Sequence, residues 1–358
     1  MTRTVDVTAV GGRPAREVLA WSRRLVDPAL RDAVDVLPAS MRRIAGYHFG
    51  WWDADGCPTN ADSGKAFRPA LAFLAAEAVG GDAMAALPAA VAVELVHNFS
   101  LIQDDVIDGD LSRRWRPTAW SVFGAGPAIV ASDALLVLAF DVLAGSGHPA
   151  SQQMARMLST AVLELTEGEH ADIAFEGRTD VDIAECVRMV EGKTSSILAS
   201  ACALGAIEAS GTATQVARLH SFGEQLGVAF QLADDLLGIW GDPAVTGKPV
   251  HSDLHRRKKS LPLVAALSSG TRAGAELAAL YGRDRPLSAE EVVHAAELVD
   301  HAGGRSWCRA RAEDLLASAL RHLHAAVSPE PACHPHPGGS RAVAELTALA
   351  QLAARRDL

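Results

Sequence analysis

Aromatic residues are scarce in this 358-residue chain, 5% in all. No run alternates apolar with polar positions or gathers β-branched residues, so no stretch reads as a sheet. No long basic run occurs either, and acids outnumber bases 43 to 33; a nucleic acid would meet a surface of its own sign and is not an expected partner. The five cysteines, Cys57, Cys186, Cys202, Cys308 and Cys333, show no CxxC spacing. An odd number without a framework points to reduced, intracellular thiols. The opening MTRTVDVTAVGGRPAREVL has no apolar signal core, which leads to the expectation of a cytoplasmic protein. The apolar stretches at 127–145 and 197–207 are broken by Asp or too short for a bilayer, so integral membrane association is not expected.

What the chain has in quantity is Ala, Leu and Val. Hydrophobic residues make up 49% and charged residues 21%, a soluble, helix-favouring composition that excludes a disordered protein. The length would admit two or three domains, but it is also ample for one deep core. PAREVLAWSRRLVDPALRDAVDVL repeats apolar residues at helical intervals and reads as one or two amphipathic helices. Further helices are expected at roughly 69–80, 86–108, 127–144, 151–170, 180–208, 213–237, 261–268, 272–281, 288–300 and 303–326. GYHFGWWDADGCPTNADSGKAFRPA gathers Gly, Pro and Asp, the composition of a surface loop, and delivers Lys65 and Arg68 to the start of a helix. SPEPACHPHPGGS at 328–340 reads as a second loop before a short last helix, RAVAELTALAQLAARRDL. The expectation is an all-α fold, a single large helical bundle forming one domain over 1–358, with residues 1–12 flexible. Cys333, His334 and His336, with His322 and His324 upstream, suggest a metal cluster, but neither their spacing nor a dry surround supports one.

Two stretches raise the chemical question. Residues 103–118 read QDDVIDGDLSRRWRPT, and 231–242 read QLADDLLGIWGD. Packed like charges repel unless something positive lies among them. On a helix Asp104 and Asp108 are four apart and share a face, while Asp105 sits about 100° away. Gln231 and Asp235 are likewise four apart, with Asp234 beside them. Two such helices facing each other across a bundle make a cage of hard oxygens, suited to Mg²⁺ or Mn²⁺ and not to zinc. A solvated helix face or a cap is the ordinary reading of one such cluster. It is weakened here because the acids follow apolar VELVHNFSLIQ and GVAFQLA, because the pattern occurs twice, and because cations follow each cluster. These are Arg113, Arg114 and Arg116 after the first, then Lys248, Arg256, Arg257, Lys258 and Lys259 after the second. Metal-binding carboxylates beside cations point to an anionic ligand, a diphosphate.

In the order and spacing of these motifs the chain resembles the trans-isoprenyl diphosphate synthases, or polyprenyl synthetases, most of all the bacterial short-chain geranylgeranyl and farnesyl diphosphate synthases. The resemblance covers about residues 60 to 265. GKAFRPAL looks like the family's GKxxRP signature, and VELVHNFSLIQDDVIDGDLSRRWRPT like its first aspartate-rich region. KTSSI resembles its Lys-Thr element, FQLADDLLG its second aspartate-rich region, and TGKP with KKSLP its closing lysine motifs. The resemblance implies an isoprenoid synthase fold around a central cavity, a homodimer, and condensation of isopentenyl diphosphate with dimethylallyl, geranyl or farnesyl diphosphate. It implies that Lys65, Arg68, His97 and Arg114 hold the acceptor's diphosphate. Asp104, Asp105, Asp108, Asp234 and Asp235 would hold Mg²⁺, three ions in all, with Mn²⁺ as a substitute. Arg113, Lys193, Gln231, Lys248 and Lys258 would complete the allylic pocket, and Thr194 with Gln231 would lie near the developing cation. The catalytic set implied is these five aspartates with Lys193 and Lys248. No protein nucleophile is needed, since the acceptor's double bond attacks the allylic cation and the released diphosphate can take the proton.

The chain departs from the family's pattern at two positions. Gln103 stands where many relatives have His, and Gly238 where many have the third aspartate of the second region, a role that Asp242 could share only from beyond the next turn. Tyr47, Trp51 and Trp52 read as packing of the N-terminal segment, Met154 and Met157 as core, and His251 and His255 as solvated rim. His170 and Asp172 fall where the family packs a polar pair near the site. A terpene cyclase on the same fold would have no use for Lys65, Arg68 and Arg114 together, and a non-catalytic subunit of a heteromeric synthase would not keep five of the six usual aspartates. Product length is expected to be set by Phe99, five residues or about 7.5 Å before Asp104 on the helix. With Ser100 small beside it and no insertion in DDxxD, the resemblance implies a C20 product, with C15 next.

Overall fold

The computed structural model describes residues 11–59, 61–62, 64–243, 249–283, 285–327 and 337–355. In chain order the helices are α1 (Ala15–Asp35), α2 (Ala39–His48), α3 (Phe67–Ala78), α4 (Leu87–Ile107), α5 (Ala119–Phe123), α6 (Ala125–Ala144), α7 (Ser151–Glu176) and α8 (Ile183–Val190). They continue as α9 (Ser196–Glu208), α10 (Ala213–Trp240), α11 (Ser252–His255), α12 (Leu261–Leu267), α13 (Arg272–Tyr281), α14 (Ala289–His301), α15 (Gly304–Val327) and α16 (Pro337–Arg355). The strands among the described residues are β1 (Ser112–Arg113) and β2 (Arg116–Pro117), one antiparallel hairpin. The all-α expectation holds, and the hairpin is a turn that presents arginines.

Helix starts follow local chemistry. Thr212 with Gln215 and Ser288 with Glu291 form capping boxes, which is why α10 and α14 begin where the spacing predicted. Asp182 with Glu185 caps α8, a few residues later than expected. The helix expected at 180–208 is broken by a π turn at Glu191–Ser195 between α8 and α9. α7 runs on to Glu176 and α10 to Trp240, so Asp172 and Gly238 are both helical. The four described residues of the expected 328–340 loop, 337–340, already belong to α16.

α10 packs along α15 and α9, α4 along α6, and α3 along α9. Every residue of α9 is buried, as a helix apolar on all sides requires. Residues 83–107, which include α4, and residues 125–144, which form α6, are long and apolar enough to cross a bilayer; of the apolar 18-residue stretch in each, 67% and 39% is buried inside the protein. α4 is thus a core helix that ends in the first aspartate cluster. Trp51 is buried and stacks on Phe49 with centroids 4.6 Å apart, and the Tyr47 hydroxyl donates to the Pro117 carbonyl at 2.8 Å, so this aromatic group packs the N-terminal segment as expected. Met154 is buried and Met157 partly so, both against the core.

Candidate active site

The ends of α4 and α10, the π turn and α11 gather at one end of the bundle. Asp104 lies in the last turn of α4 and Asp108, one turn on, caps its end; their side chains are 25% and 38% exposed. Asp105 turns the other way: it is 1% exposed and accepts a hydrogen bond from Arg113 Nε at 2.7 Å. Burial pushes the Asp105 carboxyl up to about 6 although Arg113 pulls against it. Burial, then the charge of Asp104, pushes Asp108 up as well.

The π turn sets Lys193 among three carboxylates, and π turns often mark functional positions. Its Nζ lies 2.6 Å from Glu169, 2.8 Å from Asp172 and 3.4 Å from Asp104. The close approach depends on glycine. A Cβ on Gly168 would fall 2.3 Å from the Lys193 nitrogen, so any side chain there would push α7 off the turn. Burial would lower the Lys193 pKa, but Asp104, Asp172 and Glu169 outweigh it and hold the ammonium charged. Lys258, 3.8 Å from Asp172, is treated alike: burial opposes its charge, and Asp172 with Asp235 holds it up. Glu169 is pushed up to about 7 by burial and then by Asp104.

In the second cluster the two aspartates also divide. Asp234 is exposed, while Asp235 is buried with both oxygens engaged. Gln231 Nε2 donates to Asp235 Oδ1 at 2.8 Å and the Leu261 amide donates to Oδ2 at 2.9 Å. The Thr194 hydroxyl donates to Gln231 Oε1 at 2.9 Å, which links the π turn to α10 through one chain of hydrogen bonds. Burial pushes Asp235 up to about 7 against the pull of Lys258.

A separate cationic pocket lies behind the hairpin. Arg114 and Trp115 form its two-residue turn, both at positive φ (51° and 63°), the conformation that primed hairpin turns require. The turn sends Trp115 outward, 81% exposed, and Arg114 inward. The Arg114 guanidinium rests on Gly64, where a Cβ would fall 2.4 Å from Nη2, and Gly64 itself has φ 93°. Arg114 Nη1 is buried without a hydrogen-bond partner among the described residues. Arg68 and Arg114 face His97 and hold it, already disfavoured by burial, well below the usual histidine range. The same burial, with Arg114 and Arg113, takes His48 to about 3, so two neutral imidazoles border the pocket. The buried carboxyl of Glu94 faces Arg68 and Arg114 from α4. Ser22 Oγ donates to the Ala66 carbonyl at 3.0 Å and Arg23 donates to the Gly64 carbonyl, so α1 pins the loop that carries Lys65.

Residues 57–299 match the sequence profile of the polyprenyl synthetase family. The chain belongs to that family. It is 42% identical over 359 residues to geranylgeranyl diphosphate synthase of Mycobacterium tuberculosis, covering 99% of this chain and 98% of the relative. It is 46% identical over 298 residues to (2E,6E)-farnesyl diphosphate synthase of the same organism, covering 82% and 83%. The crystal structure of a polyprenyl synthetase from Streptomyces coelicolor A3(2) superposes with a TM-score of 0.87 at 42% identity, covering 94% of this chain and 98% of that one. The protein is a prenyltransferase with the isoprenoid synthase fold.

The family works with Mg²⁺, and the donor set fits that ion. Asp104, Asp108 and Asp234 offer hard oxygens at the bundle's open end. Among the described residues no three His, Cys, Asp or Glu side chains converge on one point. Mg²⁺ needs no such convergence, because it keeps several waters and takes substrate phosphate oxygens.

The structure brings Asp104, Asp105, Asp108, Arg113, Lys193, Thr194, Gln231, Asp234, Asp235 and Lys258 to one end, and groups Arg68, His97 and Arg114 beside it. Lys248, with most of TGKP, lies outside the described residues, as do Cys333, His334 and His336. Arg116 donates to the Tyr47 and Trp52 carbonyls at 3.1 Å each and serves structure. Of the expected pair on α7, Asp172 reaches the lysines while His170 is exposed. Its working companion is Glu169, which the sequence reading passed over although it lies three residues before Asp172, on the same helix face. His255 is exposed as expected, and His251, half-buried in the turn, caps α11 at φ 62° with its amide donating to the Ile239 carbonyl at 3.2 Å. Gln103 Nε2 donates to Ser132 Oγ at 3.2 Å and lies 3.3 Å from Asp133 Oδ1, joining α4 to α6.

Proposed function

We propose that the protein condenses isopentenyl diphosphate with dimethylallyl, geranyl and farnesyl diphosphate and releases all-trans geranylgeranyl diphosphate (C20) as its principal product. The observation that carries this reading is the presence of two anion sites: the pocket of Arg68, His97 and Arg114, and the mouth where Lys193 and Lys258 stand among carboxylates. A cyclase binds one diphosphate; a condensing enzyme binds two.

In this reading the arginine pocket fixes the acceptor's diphosphate and so aims its double bond at the allylic carbon. Lys65 joins from the loop pinned by α1. Lys193 and Lys258 hold the allylic diphosphate, and their charge opposes the negative charge that grows as its C–O bond breaks. Three Mg²⁺ ions, when bound through Asp104, Asp108 and Asp234, supply more of the same positive charge; Mn²⁺ can replace them. Thr194 and Gln231 lie near the carbon left electron-poor. Once the acceptor's π electrons form the new bond, the released diphosphate takes the proton. Lys248 completes the allylic pocket in this scheme.

Phe99, 7% exposed on α4 about 7.5 Å before Asp104, serves as the floor of the elongation pocket. A geranylgeranyl synthase matches nearly the whole chain, in keeping with C20, while a farnesyl synthase of higher identity over 82% of it keeps C15 as the next product. The enzyme works as a homodimer in the cytoplasm, outside the bilayer. Ile129, Val130 and Val137 leave an apolar face on α6, suited to a second copy, while the exposed Asp133 and Asp141 on the same helix are unsuited to lipid. Incubating purified protein with labelled isopentenyl diphosphate and each allylic diphosphate, then sizing the products, tests the reading. A C20 product is expected; a cyclic hydrocarbon formed without uptake of label would overturn it.

A further inference from the structure

The two aspartate clusters of this chain are not copies of each other. In the first, the third acid, Asp108, follows Asp104 by one turn at the C-cap of α4. At the same spacing after Asp234, α10 carries Gly238. The space beside Gly238 is nevertheless filled by a carboxylate: a Cβ built there would lie 2.2 Å from Asp253 Oδ2 and 2.4 Å from its Cγ. A side chain at 238 would need the Asp253 carboxylate to move aside. We infer that Asp253 supplies the third carboxylate of the second metal-binding set, delivered from α11 to the position where a helical aspartate at 238 would present its own.

The delivery is built. His251, in the left-handed conformation at φ 62°, turns the chain into α11, and its amide donates to the Ile239 carbonyl at 3.2 Å. Ser252 Oγ lies 3.3 Å from the Gly238 carbonyl and 3.4 Å from Asp253 Oδ1, within reach of donating to either. The Lys258 amide donates back to the Asp253 carbonyl at 2.9 Å. Arg257, also at positive φ (56°), ties the far side of the turn to the carbonyls of Tyr281, Arg283 and Arg285. Helix α11 is thereby clamped to the end of α10 on one side and to α13 on the other. The Asp253 carboxylate stands one turn beyond Asp234 on α10, among the charges of Asp235, Lys258 and Arg256. Asp235 has both oxygens committed to Gln231 and Leu261, while Asp234 is exposed and Asp253 half-buried. Asp242, beyond the end of α10, is not needed for the role.

This inference rests on the proposed diphosphate and Mg²⁺ chemistry, and a binding measurement separates the two. Mn²⁺ binding to the purified full chain is followed by electron paramagnetic resonance with inorganic diphosphate present, and unfolding of the metal-free protein is followed by heat. The wild type is expected to bind Mn²⁺ only with diphosphate; if it binds none, the metal reading falls and this inference with it. Asp253→Asn is expected to weaken Mn²⁺ binding roughly ten- to a hundredfold, the range for groups that tune a metal site, with the metal-free melting temperature unchanged. Asp242→Asn is expected to bind as the wild type does. The exchange variant Gly238→Asp/Asp253→Gly is expected to recover most of the affinity lost in Asp253→Asn, because the vacated space then admits the helical carboxylate. Wild-type Mn²⁺ affinity in Asp253→Asn, or a loss in Asp242→Asn equal to that in Asp253→Asn, would overturn the inference while leaving the proposed function standing. A lowered melting temperature without weaker Mn²⁺ binding would overturn it as well, by making Asp253 a structural residue.

Discussion

Each doublet of aspartates splits into an outer and an inner member, and the inner members are held by different means. Asp104 and Asp234 open to the mouth, whereas Asp105 and Asp235 are 1% and 4% exposed. Asp105 is paired with a guanidinium; Asp235 is held by an amide side chain and a backbone N–H. A helix turns about 100° per residue, so adjacent acids cannot both face the same ligand. On the proposed reading the doublet therefore contains one residue for the metal and one for the scaffold: Asp105 pairs with Arg113 of the hairpin, and Asp235 holds Gln231 and the start of α12.

The sharpest way to break this division is to remove one member at a time. Asp104→Ala and Asp234→Ala are each expected to reduce turnover by roughly a hundredfold or more, the scale of losing one charge-stabilising group, with circular dichroism and melting temperature preserved. Near-normal rates in either variant at saturating Mg²⁺ would end the metal-cage reading. The next largest effect concerns the second anion site. Arg68→Ala is expected to raise the KM for isopentenyl diphosphate about ten- to a hundredfold, equivalent to ~1.5–3 kcal/mol for a charge-assisted hydrogen bond, with little change for the allylic substrate. Equal effects on both substrates would merge the two sites into one.

The inner members should fail differently. Asp105→Ala leaves Arg113 without its carboxylate, and Asp235→Ala strands Gln231 Nε2 and the Leu261 amide. Each is expected to cost about 1–3 kcal/mol of stability, seen as a lower denaturation midpoint, on top of any loss of rate. An Asp105→Ala variant as stable as the wild type would place Asp105 with the metal ligands after all. Phe99→Ala tests the apolar continuation of the same helix: products should lengthen to C25 and beyond at little cost in rate. An unchanged product distribution in a folded, active variant would remove Phe99 as the floor.

How much of this was legible beforehand depends on whether a residue's neighbours lie on its own helix. The motifs could be read because Asp104 with Asp108, and Gln231 with Asp235, have spacings that one helix translates directly into a shared face. Which acid of a doublet faces the mouth could not be read, since that depends on how α4 and α10 are rotated against the bundle. Glu169 was missed because its importance comes from Lys193, which reaches it only where Gly168 lets the π turn come close. Asp253 was missed for the same kind of reason. A turn with His251 and Arg257 at positive φ folds it onto Gly238, and non-glycine residues adopt that conformation too rarely for sequence to announce it. The π turn itself had no signal, since EGKTSS continues a helical pattern unbroken.

The smallest expected effect supplies the reference for both inner aspartates: a buried carboxyl with neither an arginine nor an amide. Glu208 closes α9 at the end away from Lys193, and its Oε1 has no hydrogen-bond partner among the described residues. Burial alone pushes it up to about 7, the value that Asp235 reaches from a lower start and above the about 6 of Asp105 with its arginine. Its folded pKa lies above its unfolded value, so the unfolded chain gives up the proton first as pH rises. Below the ordinary carboxyl range both states are protonated and the group costs nothing; between there and about 7 the native state loses stability, and above 7 the loss is complete. Glu208→Gln removes that penalty. The melting temperature of the variant minus that of the wild type is expected to be near zero at pH 4, to grow between pH 4.5 and 7, and to level off at a few degrees, on a scale of ~2–4 °C per kcal/mol for somewhat smaller domains. A difference that does not change with pH would mean that Glu208 is solvated in the native state. Burial without a partner could then no longer serve as the baseline against which Arg113 and Gln231 are judged.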